Sequence, residues 1–381
     1  MATPAQDVVV EPDDFNDNDS SLGDVGNDGT SSTASLYSSI LDYRKENGRT
    51  YHKFRDGKYH FPNDEEENER LDLQHHIFDL SFDGKLGLSP PNEPESNVSR
   101  VLDLGTGTGI WAMDFGDEHP GAEVTGVDLS PIQPQFVPPN VKFEVDDIED
   151  SWTYSRPFDY IHSRMMNSSI SKWEEYIRQS YENLTPGGWL ELQEFGLPLS
   201  DDDTLKEEHA LYQSMKHLDE AAAKTDHAFV DLDALKPMLE AAGFVDVSEL
   251  RFKWPSNTWP RHAKFKELGA WNYENITTGL QGFLMAALTR GLGWKSDEVN
   301  VLAAQARKDV GDRSIHAYWP IIKERSVRAG TVKDGPGGFL RTEHISPTLR
   351  NAAILTPIRS TIPEQADERK IFTDEVIEIS D

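Results

Sequence analysis

The sequence predicts an α/β protein built around a doubly wound, mostly parallel sheet. From Arg100 onward, apolar strand-like segments alternate with helical ones, which is the pattern of such sheets. The first strand runs into three glycines at alternate positions, Gly105, Gly107 and Gly109, and the next strand ends in Asp128. Glycines suit a strand-to-helix turn whose backbone N–H groups approach a ligand, since a Cβ would obstruct that approach. We therefore expect a nucleotide-type cofactor site at this turn.

Seven segments are predicted as strands, with helices or loops between them. The strands are expected at 101–104, 123–128, 141–145, 158–162, 189–193, 245–253 and 314–322. One helix is expected to begin after Asn63 as its N-cap, and others to cover 171–184, 232–242 and much of an insertion at 264–308. Parallel strands bring their carboxyl ends to one edge of the sheet, so the functional residues should gather at that edge.

Composition divides the chain into five predicted parts. Residues 1–36 are rich in Asp, Ser and Gly, contain no Lys or Arg, and are expected to form a disordered acidic tail. A helical cap is expected at 37–95, followed by the cofactor-binding core at 96–198. The rest of the domain, 199–329, carries the helical insertion, which we expect to bind the substrate. Residues 330–381 lose periodicity and are expected to form a second disordered tail.

Charge and cysteine content exclude several classes of function. The chain has 37 Lys and Arg residues against 67 Asp and Glu, a net charge of −30 that would repel a nucleic acid backbone. The absence of cysteine excludes disulfides and thiolate chemistry and favours an intracellular protein, cytoplasmic or nuclear. No signal peptide or membrane-spanning run is present, so neither secretion nor a membrane partner is expected. Adjacent His75 and His76 would point apart on a helix, so no metal site is expected.

Two common glycine motifs can be compared with the turn. A phosphate-binding P-loop needs a lysine at its end, and Gly109 is followed by Ile110 and Trp111, which excludes that site. A dinucleotide motif of the form G-x-G-x-x-G/A does fit residues 107–112, with Asp128 about 20 residues later to bind a ribose. The dinucleotide hypothesis therefore survives at this point of the sequence.

A third interpretation accounts for more of the chain. Residues 103–109, Asp-Leu-Gly-Thr-Gly-Thr-Gly, resemble the D-x-G-x-G-x-G loop of class I S-adenosylmethionine methyltransferases. Four later segments resemble further motifs of that family in the same order, namely 128–130, 146–148, 158–162 and 184–190. The resemblance implies a Rossmann-like fold with a seven-stranded sheet and S-adenosyl-L-methionine as cofactor.

The same resemblance assigns expected roles to individual residues. Asp128 and Leu129 would bind the ribose, since one carboxylate can accept two hydrogen bonds. Asp146, Asp147 and Ile148 would meet the adenine. The methionine part would lie near Asp103 and against Gly105, Thr106, Gly107 and Gly109. Ser163 and Arg164, just past the fourth strand, could hold polar groups of the cofactor or a substrate carboxylate.

A closer resemblance lies outside the core motifs. Segments at 37–40, 47–52, 59–64, 69–71, 162–164 and 254–260 are similar to the fungal LaeA-like, or TAM-domain, methyltransferases, a match that runs from about Tyr37 to Pro320. The resemblance implies a small secondary metabolite as methyl acceptor or, alternatively, a nuclear regulator of secondary metabolism that acts through protein partners. In the family an aromatic-rich final strand follows Pro320, whereas this chain continues differently. The pairing of the final strand is therefore an open question.

Candidate catalytic residues are few, because methyl transfer from a sulfonium depends mainly on positioning and water exclusion. His162 and Glu194, at the ends of the fourth and fifth strands, are the best-placed candidates for a general base. A cofactor or core contact for the histidine, and a turn cap for the glutamate, are the alternatives. Four tryptophans, Trp254, Trp259, Trp271 and Trp294, are expected to lie in the core or to line a flat apolar substrate site.

Overall fold

The structure is a computed structural model that describes residues 43–330. The two tails expected at 1–36 and 330–381 lie outside this range, except for Gly330.

A seven-stranded sheet forms the centre of the molecule. Its strands are β3 (Arg100–Leu104), β4 (Glu123–Asp128), β5 (Val141–Val145), β6 (Phe158–Arg164), β7 (Leu184–Phe195), β8 (Phe244–Pro255) and β9 (Tyr318–Arg328). They lie in the order β5-β4-β3-β6-β7-β9-β8. The first five in this order are parallel, and β9 is antiparallel to both of its neighbours. The predicted doubly wound, mostly parallel sheet is confirmed.

Strand register places the predicted motifs side by side. Asp103 near the end of β3 lies opposite Gly126 of β4 on one side and opposite His162 of β6 on the other. Val101, Leu102 and Leu104 are fully buried, as expected for a central strand covered on both faces. The carboxyl ends of β3, β4 and β6 therefore form one continuous edge, at which the glycine turn begins.

The final strand is paired but was misplaced by the sequence pattern. It covers Tyr318–Arg328 instead of the expected 314–322, because Ser314 lies in a turn and bonds to Asp312. Its inner half contains a buried ion pair, in which Lys323 Nζ lies 2.6 Å from Glu191 Oε1 of β7. Charged residues of this kind are typical of a surface loop, and only their pairing allows them to lie inside a sheet.

Helices cover both faces of the sheet and one end of it. They are α1 (Glu65–Ser81), α2 (Ile110–Glu118), α3 (Trp173–Asn183), α4 (Ala210–Lys224), α5 (Leu232–Ala242), α6 (Ala263–Ala286) with a π-helical continuation (Ala287–Leu292), and α7 (Ser296–Gly311). The predicted helix at 232–242 ends at Gly243, which has a left-handed φ of 101°. Within residues 43–330, no helix is long and apolar enough to cross a membrane.

The N-terminal cap combines a short hairpin with the helix that the sequence predicted. It begins with a hairpin of β1 (Arg44–Glu46) and β2 (Arg49–Tyr51), and α1 follows. The N-cap of α1 is Asp64 and not Asn63: the Asp64 carboxylate accepts from the Glu67 backbone N–H while Arg49 binds both of its oxygens. Asn63 instead donates to the Ser130 hydroxyl just past β4. This contact ties the cap to the carboxyl edge of the sheet.

The helical insertion and the cap share one hydrophobic core. Ile77 and Phe78 of α1 belong to the same buried cluster as Leu280 of α6 and Val299 of α7. The Arg70 guanidinium of α1 also donates to Asn275 Oδ1 of α6 at 2.7 Å. The cap is therefore packed on the insertion as well as on the sheet, and the space between these three parts contains the cavities described below.

Candidate functional site

The glycine turn between β3 and α2 requires glycine for steric reasons. Gly105 has a φ of 69°, and a Cβ there would lie 2.3 Å from the Met166 sulfur. Gly109 is the left-handed N-cap of α2, with a φ of 83°, and a Cβ there would collide with the Phe143 ring. The Gly107 N–H donates to Asp128 Oδ2 at 2.9 Å, so the turn is fixed to the end of β4.

A cleft follows this turn along the carboxyl edge of β3, β4, β5 and β6. Most of the residues predicted to bind the cofactor lie on its wall, namely Asp103, Gly105, Thr106, Gly107, Asp128, Leu129, Asp146, Asp147, Ile148 and Arg164. The predicted base His162 lines it as well. The structure thus brings together residues that are up to sixty-one positions apart in sequence (164 minus 103).

Two of the predicted cofactor residues do not line the cleft. Gly109 faces Phe143 and acts through the shape of the turn. The Ser163 hydroxyl is fully buried and accepts a hydrogen bond from the Tyr176 hydroxyl, at 2.8 Å, on α3. Successive strand residues point to opposite faces, which is why Ser163 faces a helix while His162 and Arg164 line the cleft.

Asp128 is the acidic residue at the end of β4. Its carboxylate accepts from the Gly107 and Ser130 N–H groups, each at 2.9 Å. Burial raises the pKa of Asp128 to about 6, and the nearby Asp103 carboxylate acts in the same direction. A carboxylate oxygen can accept more than one hydrogen bond, so Asp128 retains capacity for a ligand hydroxyl.

Asp103 positions its neighbours on the cleft wall. Its Oδ1 lies 2.7 Å from His162 Nδ1 and its Oδ2 accepts from the Thr106 hydroxyl at 2.6 Å. The carboxylate can only accept, so His162 Nδ1 carries the proton and Nε2 is the acceptor nitrogen. The imidazole stacks on the Trp111 ring with centroids 3.7 Å apart, and burial lowers the pKa of His162, which keeps it neutral. No described residue hydrogen-bonds to His162 Nε2.

Arg164 provides a half-buried cation at the end of β6. Its Nε donates to Gln193 Oε1 at 2.8 Å, its Nη1 lies 3.1 Å from His75 Nδ1, and its guanidinium lies over the Phe78 ring. Burial lowers the pKa of Arg164 to about 10. Within residues 43–330 no carboxylate lies within ion-pair distance of it, so the guanidinium can still bind an anionic group.

The acidic pair after β5 is partly engaged by the cap. Lys58 Nζ lies 2.5 and 2.6 Å from the two carboxylate oxygens of Asp147 and 2.9 Å from Glu149. Asp146 accepts from the Asp147 backbone N–H through Oδ1 alone. The cap therefore reaches over this end of the cleft, and Asp146 has a carboxylate oxygen that no described residue binds.

A wall of the cleft was missed by sequence analysis. The cap contributes Lys58, Tyr59, Asn63, Glu67, Leu71, Gln74 and His75, and the loop after β6 contributes Met165, Met166 and Ser169. The segment at 59–64 had been singled out as similar to the LaeA-like family, which could have indicated a role. Gln74 and His75 carry no such signal, because they occur in an ordinary polar helix sequence.

A second cavity adjoins the cleft, and we call it the aromatic chamber. It is lined mainly by apolar side chains from the cap, the sheet and the insertion: Tyr59, Phe61, Arg70, Leu71, Gln74, Met165, Phe195, Leu197, Met215, Leu218, Phe229, Trp254, Asn272, Ile276, Phe283, Trp319 and Ile321. Four residues line both cavities, Tyr59, Leu71, Gln74 and Met165, and we call them the shared wall. Of the four tryptophans considered from the sequence, only Trp254 lines the chamber.

Glu194 lies away from both cavities. It is fully buried, and its two oxygens accept from the Met166 and Asn167 N–H groups at 3.1 and 2.8 Å. Burial raises the pKa of Glu194 to about 8. These contacts favour the alternative in which Glu194 holds the loop after β6, and its role as a base remains a prediction that they do not support. Within 43–330, no cluster of three or more His, Asp or Glu side chains could hold a metal ion.

Comparison with known proteins connects this geometry to a family. Residues 73–249 match a family described as a methyltransferase domain. The chain is 40% identical over 297 residues to methyltransferase pytC of Aspergillus terreus, covering 77% of this chain and 91% of that protein. It is 39% identical over 279 residues to the secondary metabolism regulator LAE1 of Cochliobolus heterostrophus, covering 72% and 91%. It is 32% identical over 297 residues to the protein-methionine methyltransferase laeA of Emericella nidulans, covering 76% and 78%.

Proposed function

Because this chain belongs to the LaeA-like family of class I S-adenosylmethionine-dependent methyltransferases, we propose that it methylates a small, largely apolar molecule bound in the aromatic chamber. The observation that carries this proposal is the shared wall, through which an apolar cavity adjoins the cleft that contains the cofactor motifs. An acceptor site has to border the cofactor site, since the reacting atoms must meet at about 3 Å.

The residues of the cleft fit the cofactor. Asp128 would accept from the ribose hydroxyls, and Leu129 and Ile148, which also line the cleft, would pack on the nucleoside. Asp146 would accept from the adenine amino group, since Lys58 already binds both carboxylate oxygens of Asp147. Arg164, which lacks an ion-pair partner within the described part of the chain, would bind the carboxylate of the methionine part. Because Gly105 has no Cβ, the Met166 side chain can pack against the turn.

Methyl transfer from a sulfonium requires few dedicated catalytic side chains. The bound cofactor supplies a methyl group activated on a sulfonium, so the protein contributes positioning and exclusion of water. The apolar lining of the chamber excludes water, and Asp103 and Thr106 fix the glycine turn. His162 lines the cleft and not the chamber, so its role as a base stays a prediction, and its contacts suit a positioning role at least as well.

A methyl-transfer assay with a blocked chamber tests this proposal. Met215 of α4 lines the chamber but not the cleft, and Met215→Trp fills that space. We expect transfer of labelled methyl groups from S-adenosylmethionine to a panel of planar phenols and indoles to fall by about tenfold or more. The affinity for S-adenosylhomocysteine, measured by calorimetry, should stay within about twofold. Undiminished transfer by the folded variant would show that the chamber does not bind the acceptor.

The relatives favour one further candidate function, a regulator of secondary metabolism that acts through protein partners. LAE1 and laeA, at 39% and 32% identity, are named for regulation and for a protein substrate respectively. The same assay separates the two functions when a cell extract serves as acceptor and is split into protein and small-molecule fractions. Label in the small-molecule fraction supports the primary proposal, and label confined to protein supports the alternative.

A further inference from the structure

Gln74 is a buried amide that forms no side-chain hydrogen bond within the described part of the chain. It lies on the inner face of α1 and is 7% exposed. Its polar neighbours on that face hydrogen-bond to each other, since Arg70 donates to the Glu67 carboxylate through Nε and Nη2. Gln74 makes no hydrogen bond to any residue within 43–330, although it lines both the cleft and the aromatic chamber. A buried amide without a partner costs free energy, so its presence on a cavity wall points to a ligand.

The remaining shared wall contains one other polar group. Leu71 and Met165 are apolar, and the fourth member, Tyr59, has a hydroxyl that no described residue hydrogen-bonds. Burial raises the pKa of Tyr59 far above its ordinary value, so the hydroxyl remains neutral and able both to donate and to accept. The shared wall thus carries two neutral polar groups that hydrogen-bond to no residue within 43–330.

The rest of the chamber indicates the shape and charge of the molecule that these two groups would meet. Aromatic side chains dominate its lining, with Phe61 packed edge-on against Phe283 and Phe195 edge-on against Phe229. Such surfaces suit a flat ring system. Arg70 is the positively charged residue in the lining of the chamber, and the Glu67 carboxylate neutralises it. The chamber therefore favours a neutral molecule over an anion.

We propose that Gln74 and Tyr59 bind the polar group of a neutral, flat aromatic acceptor and hold it at the shared wall, and that this group is a hydroxyl or a ring N–H. This inference rests on the proposed function of the chamber as the acceptor site. The Gln74 carbonyl oxygen accepts from the O–H or N–H of the acceptor, and the Tyr59 hydroxyl makes the second hydrogen bond. Methyl transfer would break the S–CH3 bond of the cofactor and form the O–CH3 or N–CH3 bond of the product, and the proton of the acceptor would leave to solvent water through the open cleft. The product then has no hydrogen to donate to Gln74, which favours its release.

Naphthol and its methyl ether are suitable probes because they differ only in the donor hydrogen and the methyl group. Each is titrated into the full chain saturated with S-adenosylhomocysteine, and the dissociation constants are compared. We expect the native protein to bind naphthol about tenfold more tightly than the ether, which is the effect of one hydrogen bond in a buried site. In Gln74→Leu this ratio should fall to about one, while binding of the ether is retained. Gln305→Leu, the same change on the exposed surface of α7, should keep the native ratio.

The outcomes separate the inference from the proposal on which it rests. The inference is wrong if the native protein and Gln74→Leu show the same ratio of dissociation constants for the two probes, or if the native protein binds both probes equally well. In either case Gln74 does not hydrogen-bond to the donor group of the acceptor. The chamber then still binds aromatic molecules. If neither probe binds the native protein at all, the chamber is not an aromatic acceptor site and the proposed function itself is overturned. Retained binding of the ether by Gln74→Leu also shows that the variant is folded.

Discussion

Replacement of Asp128 by alanine is expected to weaken binding of S-adenosylhomocysteine by about 100-fold or more. Hydrogen bonds to a charged group contribute about 1.5–3 kcal/mol each, and Asp128 is proposed to accept two from the ribose. The same carboxylate fixes the Gly107 N–H of the glycine turn, so the change also loosens the turn. Titration calorimetry on the full chain measures the affinity directly.

The pKa of Asp128 adds a second readout to this prediction. Burial raises that pKa to about 6, so the carboxylate is ionised above pH 6 and protonated below it. Native affinity should be constant above about pH 7 and fall as the pH drops below 6, and Asp128→Ala should lose this dependence. Asp117→Ala, which removes an equal charge from the exposed end of α2, should bind as the native protein does. Equal affinities of the Asp128 and Asp117 variants would contradict the assignment.

Replacement of Lys323 by methionine is expected to lower the free energy of unfolding by about 3–5 kcal/mol. The pair with Glu191 is almost fully buried, with side-chain exposures of 1% and 0%. Burial acts to raise the pKa of Glu191, but the ammonium of Lys323 outweighs it and keeps the carboxylate ionised. Removal of the lysine therefore leaves an uncompensated charge between β7 and β9. Urea unfolding at neutral pH measures the loss.

An exposed ion pair provides the matched control for this variant. Lys264 lies 2.6 Å from Asp83, with side chains 38% and 82% exposed, so Lys264→Met should cost less than about 1 kcal/mol. Similar losses for the two variants would mean that the Lys323 pair is open to solvent, and hence that β9 does not lie inside the sheet as described.

The parts of the fold that sequence could predict are those in which local pattern and burial agree. The strands from 101 to 162 are short apolar runs with turns between them, and Gly243 ends α5 where a left-handed residue is needed. The last strand was misplaced because charged residues such as Lys323 and Glu324 are typical of a loop. The sequence pattern of one segment cannot show that Lys323 forms an ion pair with Glu191 on another strand.

The candidate site divides in the same way. Residues of the core motifs, from Asp103 to Ile148, line the cleft because a parallel sheet brings its strand ends together. Ser163 does not line the cleft, since the alternation of β6 directs it to α3. Gln74 was missed because the packing of α1 against α6 buries it, and nothing in the helix sequence distinguishes it from a surface glutamine.

The crystal structure of the full chain with S-adenosylhomocysteine is the most direct test of the central claim, that the cleft holds the cofactor and the aromatic chamber adjoins its reactive end. We expect the nucleoside beside Asp128 and Ile148, and the sulfur next to the shared wall of Tyr59, Leu71, Gln74 and Met165. Density for the ligand outside the cleft, or a sulfur atom directed away from the shared wall, would contradict the account.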